Sequence, residues 1–426
     1  MKCAWTILFF FVTADCLSQK ESVVGWGWAG NTVNTVVFRR NSIASDSHWQ
    51  YVAYYDSTGH VVLARRNITG GSWEVKQTRY KGNITDAHNS ISIMVDGDGY
   101  LHMSWDHHNN QLNYCRSVAP ESLELTDKLP MVGSTESRVS YPEFYKMPNG
   151  DLLFLYRDGS SGRGNLILNR YYTTRKKWER IQDNLIDGEG ERSAYWQACV
   201  DDQGVFHISW VWRETPDVAS NHDLCYARSA DGGKTWQKSG GSVQVVPMNA
   251  ANAEYIAHIP QNSDLINGTS MTTDAKGRPY IATYWRPQGN ISPQYHLVYF
   301  NGSAWQIQQV SNRTAGFTLS GGGTRRIPIS RPQVMVRGKK VYLVFRDAER
   351  DNRLSVAYCN NISKGEWNTV DLTETSIGQS EPSFDTELWR RKNMLHLYVQ
   401  YSGQGDGERT EQIAPQHVRI LEWRPR

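Results

Sequence analysis

Residues Asp86 to Tyr114 read DAHNSISIMVDGDGYLHMSWDHHNNQLNY. Two alternating, β-branched and aromatic runs, SISIMVD and YLHMSWD, flank a DGDG turn, the pattern of an antiparallel hairpin. A hairpin returns to the side from which it started. His88, before the first strand, and His107 and His108, after the second, are therefore expected at one end, with the turn at the other.

The second strand of this hairpin recurs along the chain. WQYVAYYD, YLHMSWDHH, DLLFLYRDG, VFHISWVWRE, PYIATYWRP, KVYLVFRDA and MLHLYVQYS align with Tyr51, His102, Leu153, His207, Tyr280, Tyr342 and Leu397 at equivalent places. Polar turns such as MPNGD and DAKGR precede most copies, and a third strand ending in Trp often follows, as in LNRYYTTRKKW and LCYARSADGGKTW. A period of roughly 50 residues built from four strands is that of propeller blades. The fold expected is all-β, a seven-bladed β-propeller with four-stranded antiparallel blades. Ser229 to Trp236, SADGGKTW, matches the Asp-box of sialidase-like propellers, a turn between third and fourth strands that marks fold and not chemistry.

Composition agrees. Seven blades of about 50 residues take up nearly all of the 426, so residues 19–426 are expected to form one domain. The 16 Trp and 22 Tyr suit blade faces filled by large amphipathic rings, which also make sugar platforms. A net charge of +3 without a clustered Lys/Arg run excludes a strongly basic nucleic-acid binder. Residues 1–18 carry a Lys, an apolar core and then small residues, which reads as a secretory signal cleaved after Ser18. No later run approaches the roughly 20 apolar residues of a membrane span. The expected product is a soluble monomer, secreted or periplasmic, with no nucleic-acid partner and no membrane span.

Four cysteines remain after cleavage, Cys115, Cys199, Cys225 and Cys359, without CxxC spacing. They read as small buried thiols or one disulfide. The alternative is a structural metal site in one blade, made by Cys199, His207, His222 and Cys225.

Propeller geometry sorts the remaining candidates. In each blade the innermost strand starts, and the second strand ends, at the same mouth of the channel. Second-strand ends supply His107, His108, Arg157, Arg213, Arg286 and Arg346; first-strand starts supply His88, Tyr141, Tyr195, Trp196, Arg331 and Glu381. Four blades present an aromatic residue followed by Arg at one equivalent position. Guanidiniums around a concave mouth suit carboxylate, sulfate or phosphate, because the planar fork binds oxyanions bidentately. The competing reading pairs each Arg with its acidic neighbour, Asp158, Glu214 or Asp347. Sialidases are propellers with an Arg triad, but they have six blades and need a Tyr nucleophile with a Glu partner, which this sequence does not place.

His88, His108, Tyr141 and Arg157 suit a different chemistry. Eliminating a substituent from C4 of a uronic acid requires removal of the weakly acidic C5 proton, which a cation and strong donors on the carboxylate make feasible. A His or Tyr takes that proton and a second such group protonates the leaving oxygen. No cofactor is required for this, and His107, Tyr195, Trp196, Arg213, Arg286, Arg331 and Arg346 are left as substrate-binding candidates.

DAHN, HNNQLNY, YPEF and YRDG, with sixteen residues from Tyr141 to Arg157, resemble the seven-bladed lyases with BNR-type repeats, which include ulvan lyases. The resemblance implies catalytic roles for His88, His108, Tyr141 and Arg157. GWGWAGNTVNTVVFRRNS, SWDHHNN, NLIDGEG, WRETPDVASNHD and SGGGTRRIPISRPQ look closer still to propeller enzymes that remove L-rhamnose capping glucuronic acid in arabinogalactan and gum arabic. That implies an anionic plant-type glycan as partner and a rhamnose–glucuronate lyase as the activity. Some members of that group are α-L-rhamnosidases using one histidine on the opposite face, where His48, in the turn before WQYVAYYD, is the counterpart. A lectin-like propeller binding anionic glycans without catalysis is the non-enzymatic alternative.

Overall fold

The chain's ends are hydrogen-bonded to each other. Gln19–Gly27 pairs antiparallel with Gln416–Trp423, from Gln19 opposite Trp423 to Gly27 opposite Gln416. This computed structural model describes residues 19–37 and 41–425; the expected signal segment, 1–18, lies outside the described residues. Gln19–Gly27 is the outermost strand of a four-stranded sheet whose other members, Gln416–Trp423, Leu395–Val399 and Ser383–Phe384, come from the far end of the sequence. The first and last segments thus complete one sheet, and a free edge is covered on each.

The other sheets are local. Ile43–Ser45, Trp49–Tyr55, His60–Asn67 and Glu74–Lys81 form one four-stranded meander; Ser270–Thr273 to Trp305–Gln309 and Gln333–Arg337 to Asn368–Ser376 form two more. Ile91–Val95, Leu101–Trp105 and Tyr114–Arg116 make a three-stranded sheet. The meanders of 139–186 and 193–244 are joined through a single parallel pair, Gly164 with Ser193, into an eleven-stranded sheet. Each of the aligned positions, Tyr51 through Leu397, falls on the second strand of its set. The first strands abut one another in chain order from Ile43–Ser45 to Gln333–Arg337. Among the described residues the one α-helix, Thr386–Lys392, is capped by Asp385 Oδ1, which accepts from the Leu388 N–H.

Two equivalent histidines show how a turn is fixed to its blade. His102 Nε2 lies 3.1 Å from Asp96 in the turn before it and Nδ1 lies 2.7 Å from the Tyr114 hydroxyl. His207 repeats this with Asp201 at 3.2 Å and Tyr226 at 2.7 Å. Both imidazoles are buried. The Asp-box also forms as expected, between the strands Asn221–Ser229 and Trp236–Gln237: Asp231 accepts from the Thr235 N–H, and buried Trp236 donates to the Gly233 carbonyl at 3.0 Å.

The alternative metal site does not assemble. His207 is engaged on both nitrogens as described, His222 lies between Glu214 and Asp223, and Cys225 sits opposite Trp210, further along the ladder from the Cys199–His207 pair. Cys115, Cys225 and Cys359 are free thiols, so no disulfide joins any of these three.

Ile420, on the strand that joins the two ends, is fully buried beside Val24 and Val52. Ile420→Ala should lower the unfolding free energy by about 2–5 kcal/mol, read from urea denaturation. A loss below about 1 kcal/mol would mean that the closing strand is not part of the cooperative core.

Candidate functional site

His88 and the pair His107–His108 do meet at one end, but the pair divides. Asp106 and Asn109 both have φ of 63°, and these two left-handed residues turn the chain so that adjacent histidines face opposite ways. His107 is buried, accepts from the Asn113 N–H at 3.0 Å and is pushed by burial to about 4. It is a neutral core histidine, and its expected substrate contact does not form. His108 faces a cavity of about 200 Å³ that also takes in His88, Tyr141, Tyr195 and Arg213.

The two histidines that reach this cavity are stacked, with ring centroids 4.2 Å apart and 18° between planes. One carboxylate holds both: Asp86 Oδ1 is 2.8 Å from His88 Nδ1, and Oδ2 is 2.6 Å from His108 Nδ1. A carboxylate only accepts, so each Nδ1 carries a proton and Nε2 becomes the acceptor whenever a ring is neutral. His88 Nδ1 is also 3.1 Å from Glu408 Oε1. Burial alone would lower the affinity of His88 for a second proton, but Asp86 and Glu408 outweigh it and raise the value to about 9. Asp86 in turn lies well below the usual carboxylate range, because the two imidazole hydrogen bonds overcome its burial. Among the described residues, Asp86, His88 and His108 are the one set of three metal-capable side chains whose ligand atoms come within 4.8 Å of one another. Separations of 2.6 and 2.8 Å are those of N–H···O bonds, and the set is read as hydrogen-bonded side chains.

Tyr141 enters through a bulge. The ladder between Val139–Lys146 and Leu152–Ser160 loses register between Ser140 and Glu143, and Tyr141 has φ of 56°. A bulky residue in that region is strained, and such bulges re-aim side chains at sites. Tyr141 lies 6.0 Å from His88 and 5.9 Å from Tyr195, centroid to centroid. Arg157, opposite Ser140 in the ladder, places its guanidinium 4.7 Å over the Tyr141 ring. It fits only because residue 164 is Gly, where a Cβ would come within 2.5 Å of Arg157 Cδ. Arg157 is buried behind the wall, whereas Arg213 lines the cavity, as do Arg325, Arg331 and Arg346.

Tyr195 Oη joins the two arginines, with Arg157 Nη1 at 3.1 Å, Arg213 Nη1 at 3.2 Å and Ser161 Oγ at 3.0 Å. Burial raises the value of this phenol, but the charges of Arg213 and Arg157 bring it down to about 7, whereas burial and the neighbouring Tyr195 push Tyr141 up. Neither arginine pairs with its acidic neighbour: Asp158 bonds Arg138, and Glu214 bonds Arg192 and His222. Among the described residues no carboxylate is paired with Arg157 or Arg213.

The remaining arginines expected at the mouth have partners within the chain. Arg286 is held by Asp264 at 2.7 Å and by the Asn262 carbonyl, off the cavity wall. Arg331 is paired with Glu381 at 2.9 Å, and fully buried Arg346 donates to the carbonyls of Ile327, Pro328 and Ser380. Arg331 and Arg346 thus tie segments together while still lining the cavity, and of the three only Arg286 is away from it. Trp196 donates to Glu143 at 3.2 Å and, unlike Arg331 and Arg346, is absent from the cavity wall. His48 is exposed, in a separate cavity of about 400 Å³ that contains the DGDG turn. That turn is the opposite end of the hairpin from His88 and His108.

A model described as "BNR repeat-containing family member" matches residues 49–313, well over half of the chain. The chain belongs to this family. The matched stretch carries His88, His108, Tyr141, Arg157, Tyr195 and Arg213 and stops short of Glu408. Among curated proteins, the chain is 22% identical to the long isoform of ulvan lyase from Pseudoalteromonas sp. (strain PLSV), over 84% of this chain and 41% of that protein. It is also 22% identical to the ulvan lyase long isoform of Alteromonas sp. (strain LOR), over 90% and 42%. It thus spans about two fifths of the length of these relatives. Among solved structures, polysaccharide lyase Uly1 superposes with a TM-score of 0.68 at 17% identity, covering 91% of this chain and 90% of that one. A PL25 ulvan lyase bound to -[GlcA(1-4)Rha3S]- gives 0.69 at 15% identity over 90% and 97%. This chain and these structures share an all-β architecture.

Sequence reasoning missed Asp86 and Glu408. Asp86 stood in the quoted DAHN motif, two residues from His88. Glu408 comes from the connection between Leu395–Val399 and Gln416–Trp423, more than 300 residues away, and carried no local signal. Since His88 binds its proton more tightly when folded, that proton stabilises the fold fully below the ordinary value of 6.5, and the contribution is lost as pH rises through about 9. Glu408→Gln should move the His88 titration downward in histidine-resolved NMR and shrink the loss of stability in that window. An unmoved midpoint would remove Glu408 from the site.

Proposed function

We propose that this protein is a polysaccharide lyase that cleaves a uronate-containing glycan by β-elimination at the His88–Arg213 cavity. The observation that carries this reading is the pair of buried guanidiniums without a carboxylate, beside two imidazoles and two phenols. A buried cation without a counter-ion is costly, and two guanidiniums that share one phenol oxygen and no carboxylate keep positive charge for an anion from outside. A uronate supplies it: Arg213, with Arg157 behind it, takes up the carboxylate charge, and the C5 carbanion character that develops is delocalised onto neutralised oxygens. His88, His108 and Tyr141, with Tyr195, are the groups available to move the protons. The cations and proton carriers all come from the chain, and no cofactor is part of this reading.

The finer proposal is an exported, monomeric enzyme with seven blades, acting on L-rhamnose-capped glucuronate of the arabinogalactan kind. The sets of strands carrying Tyr51 through Leu397 support the blade count. The sequence motifs shared with rhamnose–glucuronate enzymes support the glycan. The curated relatives are ulvan lyases, which makes ulvan the comparison substrate. Hydrolysis at His48 is the second reading, favoured by its roomy cavity on the other face.

Incubation with gum arabic and with ulvan tests this, reading the ultraviolet absorbance of the conjugated unsaturated uronate together with the sugar released. Elimination gives free sugar and absorbance; hydrolysis gives free sugar alone. Arg213→Lys keeps the charge but loses the fork and should cost about 100- to 1,000-fold in kcat/KM. His108→Ala should cost about 100- to 10,000-fold, with His48→Ala silent. Loss of sugar release in His48→Ala with a silent His108→Ala would move the chemistry to the opposite face.

A further inference from the structure

The cavity is ordered from one side to the other. Arg213 and Arg157 meet at the Tyr195 hydroxyl; Tyr141 follows, 5.9 Å from Tyr195; His88 comes next, 6.0 Å from Tyr141; and His108 is stacked on His88. The positive charge without carboxylates lies at the tyrosine end. The carboxylates Asp86 and Glu408 lie at the histidine end.

On a uronate, the carboxylate carbon is bonded directly to C5, the carbon that loses its proton. The base must therefore stand next to the cation that neutralises the carboxylate. The leaving oxygen is on C4, away from the carboxylate, and its proton donor belongs on the other side. Tyr195 is the proton-transfer group in direct contact with both guanidiniums. Its oxygen receives donors from two arginines and lies against Ser161, an arrangement that favours an oxygen with only lone pairs to offer. Buried Arg213 keeps a further donor, Nε, without a partner. Holding the phenolate with Nη1 therefore leaves Arg213 a group with which to meet a substrate carboxylate.

We propose that Tyr195, held as a phenolate by Arg157 and Arg213, is the base that removes the C5 proton, and that the proton reaching the leaving oxygen comes from the His88 end of the cavity. This rests on the uronate reading above. The phenolate oxygen bonds the C5 proton, and the C5–H electron pair becomes the C4=C5 double bond. The C4–O bond breaks with its pair on the leaving oxygen, which takes a proton from the His88 imidazolium. Tyr195 ends as a neutral phenol and His88 as a neutral imidazole, and proton exchange with water restores both.

The groups facing the Tyr195 hydroxyl are Arg157 from Leu152–Ser160, Arg213 from Phe206–Arg213, Tyr141 from Val139–Lys146, and Ser161. The first two are cations and no carboxylate is among them, so ionisation is favoured. Its value of about 7, against an ordinary 10, agrees with that balance.

Tyrosinate absorbance of the whole protein, titrated without substrate, tests the phenolate independently of any glycan. One tyrosinate should appear with a midpoint of about 7. It should vanish in Tyr195→Phe, move upward in Arg213→Gln, and persist in Tyr141→Phe. In the elimination assay the wild-type kcat/KM should rise with pH through the same midpoint, and Tyr195→Phe should lose about 100- to 10,000-fold. No tyrosinate below about pH 9, or one that survives in Tyr195→Phe, overturns the proposal, as does Tyr195→Phe with full elimination activity. A tyrosinate lost in Tyr195→Phe while wild type eliminates on no uronate glycan overturns the uronate reading and the base role with it, and leaves the phenolate itself established.

Discussion

The ladder between Gln19–Gly27 and Gln416–Trp423 holds together segments that the sequence separates by almost its whole length. Each of the other sheets buries one face against its neighbour, so none of them closes the series without this last pairing. Ile43, Val52, Tyr54 and Ala64 of the first meander pack against Tyr398, Val418 and Ile420 of the last sheet, and Val24 of the N-terminal strand joins them. The join is therefore sealed by core packing as well as by hydrogen bonds. Pairing two ends across the full chain is a contact of the highest sequence separation, whose loop-closure entropy grows only slowly with length.

That closure is also what assembles the cavity. Asp86, His88 and His108 belong to one hairpin, Tyr141, Arg157, Tyr195 and Arg213 to two neighbouring meanders, and Glu408 to the connection that leads into the final strand. Glu408 accepts from the backbone N–H of Ala87 at 3.0 Å and from that of Thr324, while its other bond is to His88. Gly407 donates to the Thr324 carbonyl at 3.0 Å, and the Arg326 N–H donates to Asp406 at 3.0 Å. The last connection is thereby fastened to the residue before His88 and to the segment around 324. One side chain links the closing segment to the histidine pair.

What the sequence made legible was whatever repeats or is local. The hairpin in 86–114, the second strands and the Asp-box turn were readable because alternation and turn chemistry act over a few residues. His88, His108, Tyr141 and Arg157 were readable because strand ends share a side. The arginines show the limit of that argument. The strand-end position fixed where each backbone lies but not which acid its guanidinium would find: Arg286 met Asp264 and Arg331 met Glu381 from non-neighbouring segments, while Asp158 and Glu214 turned to Arg138 and Arg192 and left Arg157 and Arg213 unpaired. His107 and His108 illustrate the same limit within one strand end, because two left-handed residues, Asp106 and Asn109, decide which of two adjacent imidazoles is core. The four-residue metal set failed because ladder register, invisible in spacing, put Cys225 opposite Trp210 instead of His207.

The separation of charge across the cavity follows from these same pairings. With Asp158 and Glu214 drawn away, the tyrosine end keeps two cations; with Asp86 and Glu408 drawn in, the histidine end keeps two carboxylates and an imidazolium. In a buried site such charges act through an effective dielectric well below that of water, so a ligand with one carboxylate has a strongly preferred orientation. Turned the other way, its carboxylate would face Asp86 and Glu408 and leave Arg213 unmet. A sugar without a carboxylate would leave the net positive charge of this end and the Arg213 Nε donor unmatched, which disfavours neutral glycans without any steric exclusion. Polarity of this kind also keeps the two ends chemically distinct. The arginines hold the phenol's proton loosely and the carboxylates hold the imidazole's proton tightly, so near neutral pH an oxygen that can accept and a nitrogen that can donate face each other across the same small space.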